Sequence, residues 1–147
     1  MKEIKTELEI MASSKRVWQV LTDFPNYSKW NPAIVQVKGE AKVRTKLEIH
    51  LRTTGGKNRI YKPTITKVEP DRELRWFGKS LFPGMLNGER IFTIHSLGTD
   101  NVLFSHSQIF TGLGVYLGGN RLERDIRATL NQMNVALKRQ VEQFPVS

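Results

Sequence analysis

The sequence predicts an α+β fold in which a curved antiparallel sheet of about seven strands wraps around one long C-terminal helix, with two short helices after the first strand. Two observations lead to this prediction. Residues 34–111 consist mainly of short, strand-like segments separated by turn residues. The last part of the chain carries an apolar stripe at helical spacing, and it is the only segment long enough to cover the apolar face of such a sheet.

The start of the chain predicts one strand and one helix. In residues 2–11, Ile4, Thr6, Leu8 and Ile10 alternate with charged residues, which indicates a strand with one buried face. Ser13 or Ser14 is expected to cap a helix, because a serine side chain can accept a hydrogen bond from a free amide of the first turn. The apolar face of this helix carries Val17, Leu21 and Phe24.

Two prolines punctuate the segment that follows. Pro25 is expected to end the first helix, and Asn26 to cap one further turn over residues 27–30. Pro32 is expected to end that turn, because the residue before a proline avoids the helical region. Trp30 is thereby placed between a one-turn helix and the next strand.

Further strands are predicted over residues 34–37, 43–51, 59–68, 74–79, 89–96 and 102–111. The segment 43–51 alternates most clearly, with the inward positions Val43, Thr45, Leu47, Ile49 and Leu51. Residues 53–58 predict a hairpin turn and residues 97–101 predict another. Pro63 within the segment 59–68 indicates an edge strand or a bulge.

The C-terminal segment predicts a long amphipathic helix. Its apolar residues recur three or four positions apart: Leu122, Ile126, Leu130, Met133, Leu137, Val141 and Phe144. Charged residues occupy many of the other positions, so this helix is expected to bury one face and expose the other.

Length and composition set broad limits. The 147 residues predict a single domain, 1–147, and the absence of cysteine excludes disulfides, zinc–thiolate sites and thiol catalysis. Charges interrupt residues 1–10, so no signal peptide is expected and the predicted location is cytoplasmic. The histidines His50, His95 and His106 lack metal-like spacing, and we expect neither a metal nor a cofactor.

The net charge of +9 raises the possibility of an anionic partner. Two thirds of the excess lies between Lys38 and Lys62, where eight basic residues accompany two acidic ones. Alternation places much of this cluster on the outer face of a strand. We expect a solvated face with at most weak contact with anionic membranes and no specific binding of nucleic acid, since aromatic residues are not interleaved with the cations.

Several segments, taken in order, resemble the START-like (SRPBCC) superfamily, in particular its polyketide cyclase/dehydrase group, to which the major birch pollen allergen is related. They are residues 30–32 (WNP), 61–76 (YKPTITKVEPDRELRW), 88–94 (GERIFTI), 107–112 (SQIFTG) and 130–142 (LNQMNVALKRQVE). The resemblance covers nearly the whole chain. It implies a helix-grip fold with an apolar cavity between sheet and helix, in which members bind, carry or transform hydrophobic small molecules.

In such a fold, apolar walls are expected from both the sheet and the helix. The candidate ligand-contacting residues are Trp30, Leu47, Ile49, Leu51, Trp76, Arg90, Phe92, Phe104, His106, Gln108, Phe110, Ile126, Leu130 and Met133. Trp30 is interpreted both as a wall of the cavity and as a plug at one end. Period two makes Arg90, His106 and Gln108 the polar members of the interior face.

The polar members allow two interpretations. Arg90 binds a ligand carboxylate or carbonyl with help from His106 and Gln108, or the three satisfy one another or reach solvent at the end of the sheet. Relatives often carry His and Glu where this chain has Arg90 and Gln108, so the resemblance does not bring acid/base chemistry to these two positions. His106 remains a candidate catalytic residue.

Two apolar loops are expected to gate the cavity. Residues 81–86 (LFPGML) and 112–119 (GLGVYLGG) contribute Phe82, Met85, Leu86, Leu113 and Tyr116. The glycine spacing in the second loop does not fit a dinucleotide site, because antiparallel hairpins precede it rather than a βαβ unit. Ordinary anchoring of both loops against the core is the alternative.

Three functions remain open at this stage. The leading one is binding or carriage of a hydrophobic, lipid-like or polyketide-like molecule. The alternatives are a cyclase- or hydratase-type enzyme using His106, and a basic surface module for anionic lipid or nucleic acid. The sequence indicates no particular ligand and no oligomeric state.

Overall fold

Strands and one long helix account for most of the structure. The computed structural model describes residues 2–52, 58–79, 87–111 and 119–143, and the side chains of the last range from Glu123 onward. The strands are β1 (Lys2–Ile10), β2 (Ile34–Lys38), β3 (Glu48–Arg52), β4 (Asn58–Tyr61), β5 (Thr64–Glu69), β6 (Glu73–Lys79), β7 (Asn87–Ser96) and β8 (Val102–Thr111). The helices are α1 (Ser14–Thr22), a 3-10 helix (Phe24–Lys29) and α2 (Gly119–Gln143).

The strands form two antiparallel sheets, and backbone hydrogen bonds connect one sheet to the other. Five strands follow the order β1-β8-β7-β6-β5, and three follow the order β2-β3-β4. The amide of Leu47 donates a hydrogen bond to the carbonyl of Pro63 (2.8 Å). The amide of Ile65 donates one to the carbonyl of Thr45 (2.9 Å). Helix α2 packs on β1, β8 and α1. The predicted α+β fold is therefore confirmed, and the described residues form eight strands where about seven were predicted.

The first helix begins as predicted but does not end at Pro25. Ser13 caps α1, and its side chain accepts a hydrogen bond from the amide of Arg16 (3.1 Å). The α-helix stops at Thr22, and Pro25 lies within the first turn of the 3-10 helix, where a missing amide costs nothing. Asn26 is not the cap, since its side chain instead donates to the carboxylate of Asp23 (2.6 Å).

Two predicted strands are shorter than expected. The segment 43–51 becomes a strand only at Glu48, because residues 43–44 form a turn in which Arg44 has a φ of 73°. Val43 therefore does not face the core and is 49% exposed. The segment 59–68 divides into β4 and β5 around Pro63, which cannot donate a hydrogen bond to a neighbouring strand.

The hairpin of β7 and β8 and the helix α2 contribute inward-facing side chains. Across β7 and β8, Arg90 pairs with Gln108 and Phe92 pairs with His106. The helical stripe buries Leu130, Met133, Leu137 and Val141, as its period predicts. The stripe positions Leu122 and Phe144 lie outside the described side chains. None of the described helices has the combination of length and hydropathy needed to cross a bilayer.

Candidate functional site

A small cavity lies where the 3-10 helix, the β7–β8 hairpin and α2 meet. Its volume is about 10 Å³, close to the space that one water molecule requires. It is lined by Leu21, Tyr27, Trp30, Asn31, Phe92, Phe104, His106, Met133, Asn134 and Leu137. Three polar side chains, Asn31, His106 and Asn134, therefore border an otherwise mostly apolar space.

His106 is held by a chain of buried hydrogen bonds. Its Nδ1 lies 2.9 Å from Oδ1 of Asn134, whose Nδ2 donates to Oγ1 of Thr6 (2.7 Å). The Thr6 hydroxyl in turn donates to the backbone carbonyl of His106 (2.8 Å). The ring also packs on Phe92, with centroids 4.4 Å apart. This arrangement fixes the position and tilt of the imidazole.

The environment of His106 favours its neutral form. The side chain has no exposed surface, and Nε2 has no hydrogen-bond partner among the described residues. Burial holds the pKa of His106 well below its usual range, and the positive charge of Arg90 lowers it further. The hydrogen bond that Nδ1 of His106 donates to Oδ1 of Asn134 opposes this lowering of the pKa.

Asn31 is a second buried polar residue in the lining of the cavity. Its Oδ1 accepts hydrogen bonds from the amides of Ala33 (2.9 Å) and Ile34 (2.8 Å), so the side chain shapes the turn through Pro32 into β2. Its Nδ2 is buried without a partner among the described residues. The cavity lining thus includes two residues with unpaired polar atoms, Asn31 and His106.

Arg90 lies on the same face of β7 as Phe92, two residues away. Nε donates to Oε1 of Gln108 (3.0 Å), and Nη1 lies 3.8 Å from Sδ of Met133. Within the described part of the chain, Arg90 forms no ion pair with a carboxylate. Burial lowers the pKa of Arg90, whereas the nearby Tyr61 and Tyr27 oppose that shift. An arginine remains protonated in proteins, so this site carries a positive charge without a described counter-charge.

Tyr27 and Trp30 close the cavity on the side of the 3-10 helix. Tyr27 is 1% exposed, its hydroxyl donates to the carbonyl of Leu21, and burial raises its pKa. The Trp30 ring lies 4.9 Å from that of Tyr27 and is only half-buried. Trp30 therefore lies at the boundary between the cavity and the surface, and its role as a plug stays a prediction.

The predicted ligand-contacting residues fall into three groups. Those that line the cavity are Trp30, Phe92, Phe104, His106 and Met133, with Arg90 and Gln108 beside them. Those fully buried elsewhere are Leu47, Ile49, Trp76 and Leu130. Those half-buried outside the described lining are Leu51, Phe110 and Ile126. Of the predicted ligand-contacting residues, only those of the first group lie at or beside the described cavity.

Sequence reasoning missed several residues of the site. Asn134 follows Leu130 by four positions and precedes Leu137 by three, so helical spacing already places it on the buried face. Asn31 directly precedes a proline, a pattern typical of a side chain that caps a turn. Tyr27 carried no comparable signal, because its burial depends on the fold of the 3-10 helix.

Some of the predicted residues lie outside the part of the chain that the structure describes. The gate-loop residues Phe82, Met85, Leu86, Leu113 and Tyr116 lie outside the described residues, as does Lys57 of the basic cluster. Among the residues that are described, no three His, Cys, Asp or Glu side chains come together in an arrangement that could hold a metal ion.

The family of the chain follows from comparison with known sequences. The family model described as polyketide cyclase/dehydrase and lipid transport matches residues 1–142. The chain belongs to this family. The predicted resemblance to the START-like superfamily is thereby confirmed. Among curated proteins, none matches this sequence.

Solved structures show the same fold at low sequence identity. A START superfamily protein from Mycobacterium smegmatis has 19% identity and a TM-score of 0.79, with 96% of this chain and 97% of that one covered. Norcoclaurine synthase from Thalictrum flavum, solved with dopamine and hydroxybenzaldehyde, has 16% identity and a TM-score of 0.74 over 99% of this chain and 89% of that one. The Aha1 dimer from Colwellia psychrerythraea has 18% identity and a TM-score of 0.75, with 99% and 100% covered.

Proposed function

We propose that the protein binds a hydrophobic small molecule bearing an acidic group, between the sheet and α2, with Arg90 as the anchor for that group. The observation that carries the proposal is the guanidinium of Arg90, which faces the interior and is hydrogen-bonded to a neutral amide. Arg90 is half-buried, and a charge that is partly removed from water is stabilised by an anion or by strong acceptors. A ligand carboxylate would supply the charge that Gln108 cannot.

The chemistry around Arg90 suits an amphiphilic ligand. Met133 provides apolar surface beside the guanidinium, and Phe92 lies two residues further along β7. Tyr61 is close enough to influence the pKa of Arg90. Pockets of this kind gain most of their affinity from apolar contact, while a few polar groups set orientation. The family to which the chain belongs is described by polyketide chemistry and lipid transport, and both involve such molecules.

Entry of a ligand requires a side chain to move. The described cavity has a volume of about 10 Å³, far smaller than an aromatic acid. Met133 borders the cavity and also contacts Arg90, so it separates the cavity from the guanidinium. Methionine is flexible and has no branched carbon, which makes it a suitable side chain to yield to a ligand.

A pair of matched probes tests the proposal. Isothermal titration with 2-naphthoate and with neutral 2-naphthamide should show micromolar binding of the acid and weaker binding of the amide. Arg90→Leu should weaken 2-naphthoate selectively, since a hydrogen bond to a charged group contributes about 1.5–3 kcal/mol. Arg72→Leu removes the same charge from an exposed turn and should leave both affinities unchanged. Equal weakening of acid and amide by Arg90→Leu would contradict the anchoring role.

The enzymatic alternative has one observation in its favour. A neutral, buried imidazole with one unpaired ring nitrogen can act as a base. The described hydrogen-bond partners of His106 include no carboxylate to stabilise the imidazolium that would form, and we therefore rank catalysis second. Turnover of a bound β-polyketone that is lost in His106→Gln, with ligand affinity retained, would reverse this ranking.

A further inference from the structure

We propose that the cavity between His106 and Asn31 recognises a hydroxyl group of the ligand, which assigns the ligand to the hydroxylated aromatic acids. The inference rests on the proposed function, because it concerns the end of the same ligand that lies away from Arg90. It follows from the hydrogen-bonding capacity of the two buried side chains, which the surrounding contacts determine completely.

The hydrogen bonds around Thr6 define the free nitrogen of His106. The Thr6 hydroxyl uses its only proton on the carbonyl of His106, so its oxygen can only accept from Asn134. The amide of Asn134 therefore directs its nitrogen to Thr6 and its oxygen to His106. Because that oxygen needs a donor, Nδ1 of His106 carries the ring proton. Nε2 of His106 is consequently a hydrogen-bond acceptor.

The free atom of Asn31 has the opposite character. Two backbone amides donate to its side chain, which requires the oxygen to face them. The nitrogen, Nδ2, is therefore the atom without a described partner, and it is a donor. The lining residues of one cavity thus offer one acceptor from His106 and one donor from Asn31.

A hydroxyl group has the hydrogen-bonding capacity to pair with both atoms. It donates to Nε2 of His106 and accepts from Nδ2 of Asn31, whereas a carbonyl has no proton to give and an ammonium has no lone pair. Before a ligand enters, the cavity of about 10 Å³ has room for about one oxygen atom. A methoxy group has no proton to donate to Nε2 of His106, so hydrogen-bonding capacity selects a hydroxyl.

The strand register of the β7–β8 hairpin shows how the hydroxyl site at His106 lies relative to Arg90, the proposed anchor of the acidic group. His106 and Gln108 are two residues apart on one face of β8, which corresponds to about 7 Å along the strand. Arg90 pairs with Gln108, so the hydroxyl site and the acid site lie at neighbouring positions of the inner face. Met133 lies against both. A rigid aromatic nucleus with a carboxylate at one end and a hydroxyl at the other fits this arrangement.

The test compares three ligands that differ at one position. Titration with 6-hydroxy-2-naphthoate, 2-naphthoate and 6-methoxy-2-naphthoate should show that the wild-type protein prefers the hydroxy acid by about tenfold, the effect of two hydrogen bonds between neutral groups. The methoxy acid should bind no better than 2-naphthoate. In His106→Phe/Asn134→Leu the preference for the hydroxyl should disappear while 2-naphthoate still binds.

The outcomes separate this inference from the proposed function. If the wild-type protein binds the hydroxy acid and 2-naphthoate equally well, the hydroxyl site is wrong and the acid-binding function stands. If none of the three binds, both are wrong. A measurement without a variant adds a direct check: the ¹⁵N resonances of His106 in the ligand-free protein should identify the Nδ1–H tautomer. An Nε2–H tautomer would overturn the assignment of the acceptor.

Discussion

The phenol ring of Tyr61 occupies the space in which Gly78 would carry a side chain. A Cβ atom placed on Gly78 would lie 2.1 Å from the hydroxyl oxygen of Tyr61 and 2.3 Å from its Cζ. Gly78 follows the buried Trp76 by two positions on β6, so this contact is on the inner face of the sheet. The absence of a side chain at Gly78 thus allows Tyr61 of the second sheet to approach β6 closely, in the neighbourhood of Arg90.

We expect Gly78→Ala to lower the free energy of unfolding. The ring of Tyr61 must move, and overpacking of this kind costs about 1–3 kcal/mol. Urea denaturation followed by circular dichroism measures the change. Adding Tyr61→Leu to Gly78→Ala should recover part of the loss, since the two residues are in direct contact and their effects should not be additive.

Gly88→Ala is the matched control for this prediction. Gly88 pairs with Gly78 across β6 and β7, but a Cβ there would meet the end of the flexible Gln108 side chain, at 2.9 Å. We expect Gly88→Ala to change stability much less than Gly78→Ala. Equal losses in the two variants would show that the backbone of the glycines matters, rather than the position of Tyr61.

The architecture was accessible from the sequence because it depends on periodicity. The alternation in β1 and the spacing of Leu130, Met133 and Leu137 in α2 reflect which face is buried, and the structure confirms both. Val43 shows where this reasoning fails: a turn continued the alternation by coincidence, and periodicity has no means of detecting the positive φ of Arg44. Pro63 was recognised as a disruption, but not as the end of a strand.

The site was only partly accessible, because its chemistry arises from contacts distant in sequence. Arg90, His106 and Gln108 could be assigned to one interior face by period two alone. The link from His106 through Asn134 to Thr6 joins three separate elements, and no local pattern encodes it. The size of the cavity depends on how all of these elements pack, which the sequence pattern leaves undetermined.

Acidification should destabilise the protein through His106. The pKa of this group is lowered in the folded state, so its contribution to stability is fully present above its unfolded value of 6.5 and is lost as the pH falls toward the folded value. Between pH 7 and 5 the unfolding free energy should fall with a slope approaching about 1.4 kcal/mol per pH unit. Urea unfolding at several pH values measures this slope.

The control for the acid effect is His106→Phe/Asn134→Leu, which should show a clearly shallower slope over the same range. The carboxylates Glu48, Glu123 and Glu142 have pKa values lowered from 4.5, so most of their contribution is lost below pH 5 and they add only a small part of the slope between pH 7 and 5. If the variant and the wild-type protein lose stability in parallel, the source of the acid sensitivity lies elsewhere.

The basic face should bind anionic membranes weakly and with strong dependence on salt. Lys42, Arg44 and Lys46 are exposed, and Lys42 is already paired with Glu40 (2.9 Å). Co-sedimentation with vesicles of phosphatidylserine and phosphatidylcholine should show binding at low ionic strength that disappears at physiological salt. Replacing the three cations with Gln should remove most of it.

A second triple variant distinguishes the effect of charges on the basic face from the effect of the net charge of the protein. It replaces three exposed cations of the helices with Gln: Lys15, Arg124 and Arg139. The net charge then falls by the same amount, but we expect binding to decrease less. Binding that persists at high salt would instead support the basic surface module as a function.

Met133 should control access of ligands to the site. It is 4% exposed and lies against both the cavity and Arg90. Met133→Ala should destabilise the protein by about 2–5 kcal/mol, the usual cost of truncating a buried methionine. The same variant should bind 2-naphthoate more tightly, because the ligand no longer has to displace the Met133 side chain. Met133→Leu keeps the volume, and we expect a stability change below about 1.5 kcal/mol with weaker binding, since leucine adapts less readily. Met133→Trp should overpack the small cavity, lowering both stability and affinity.

Titration calorimetry and urea denaturation of the three variants separate these effects, and unchanged affinity in all of them would show that the ligand binds away from Met133.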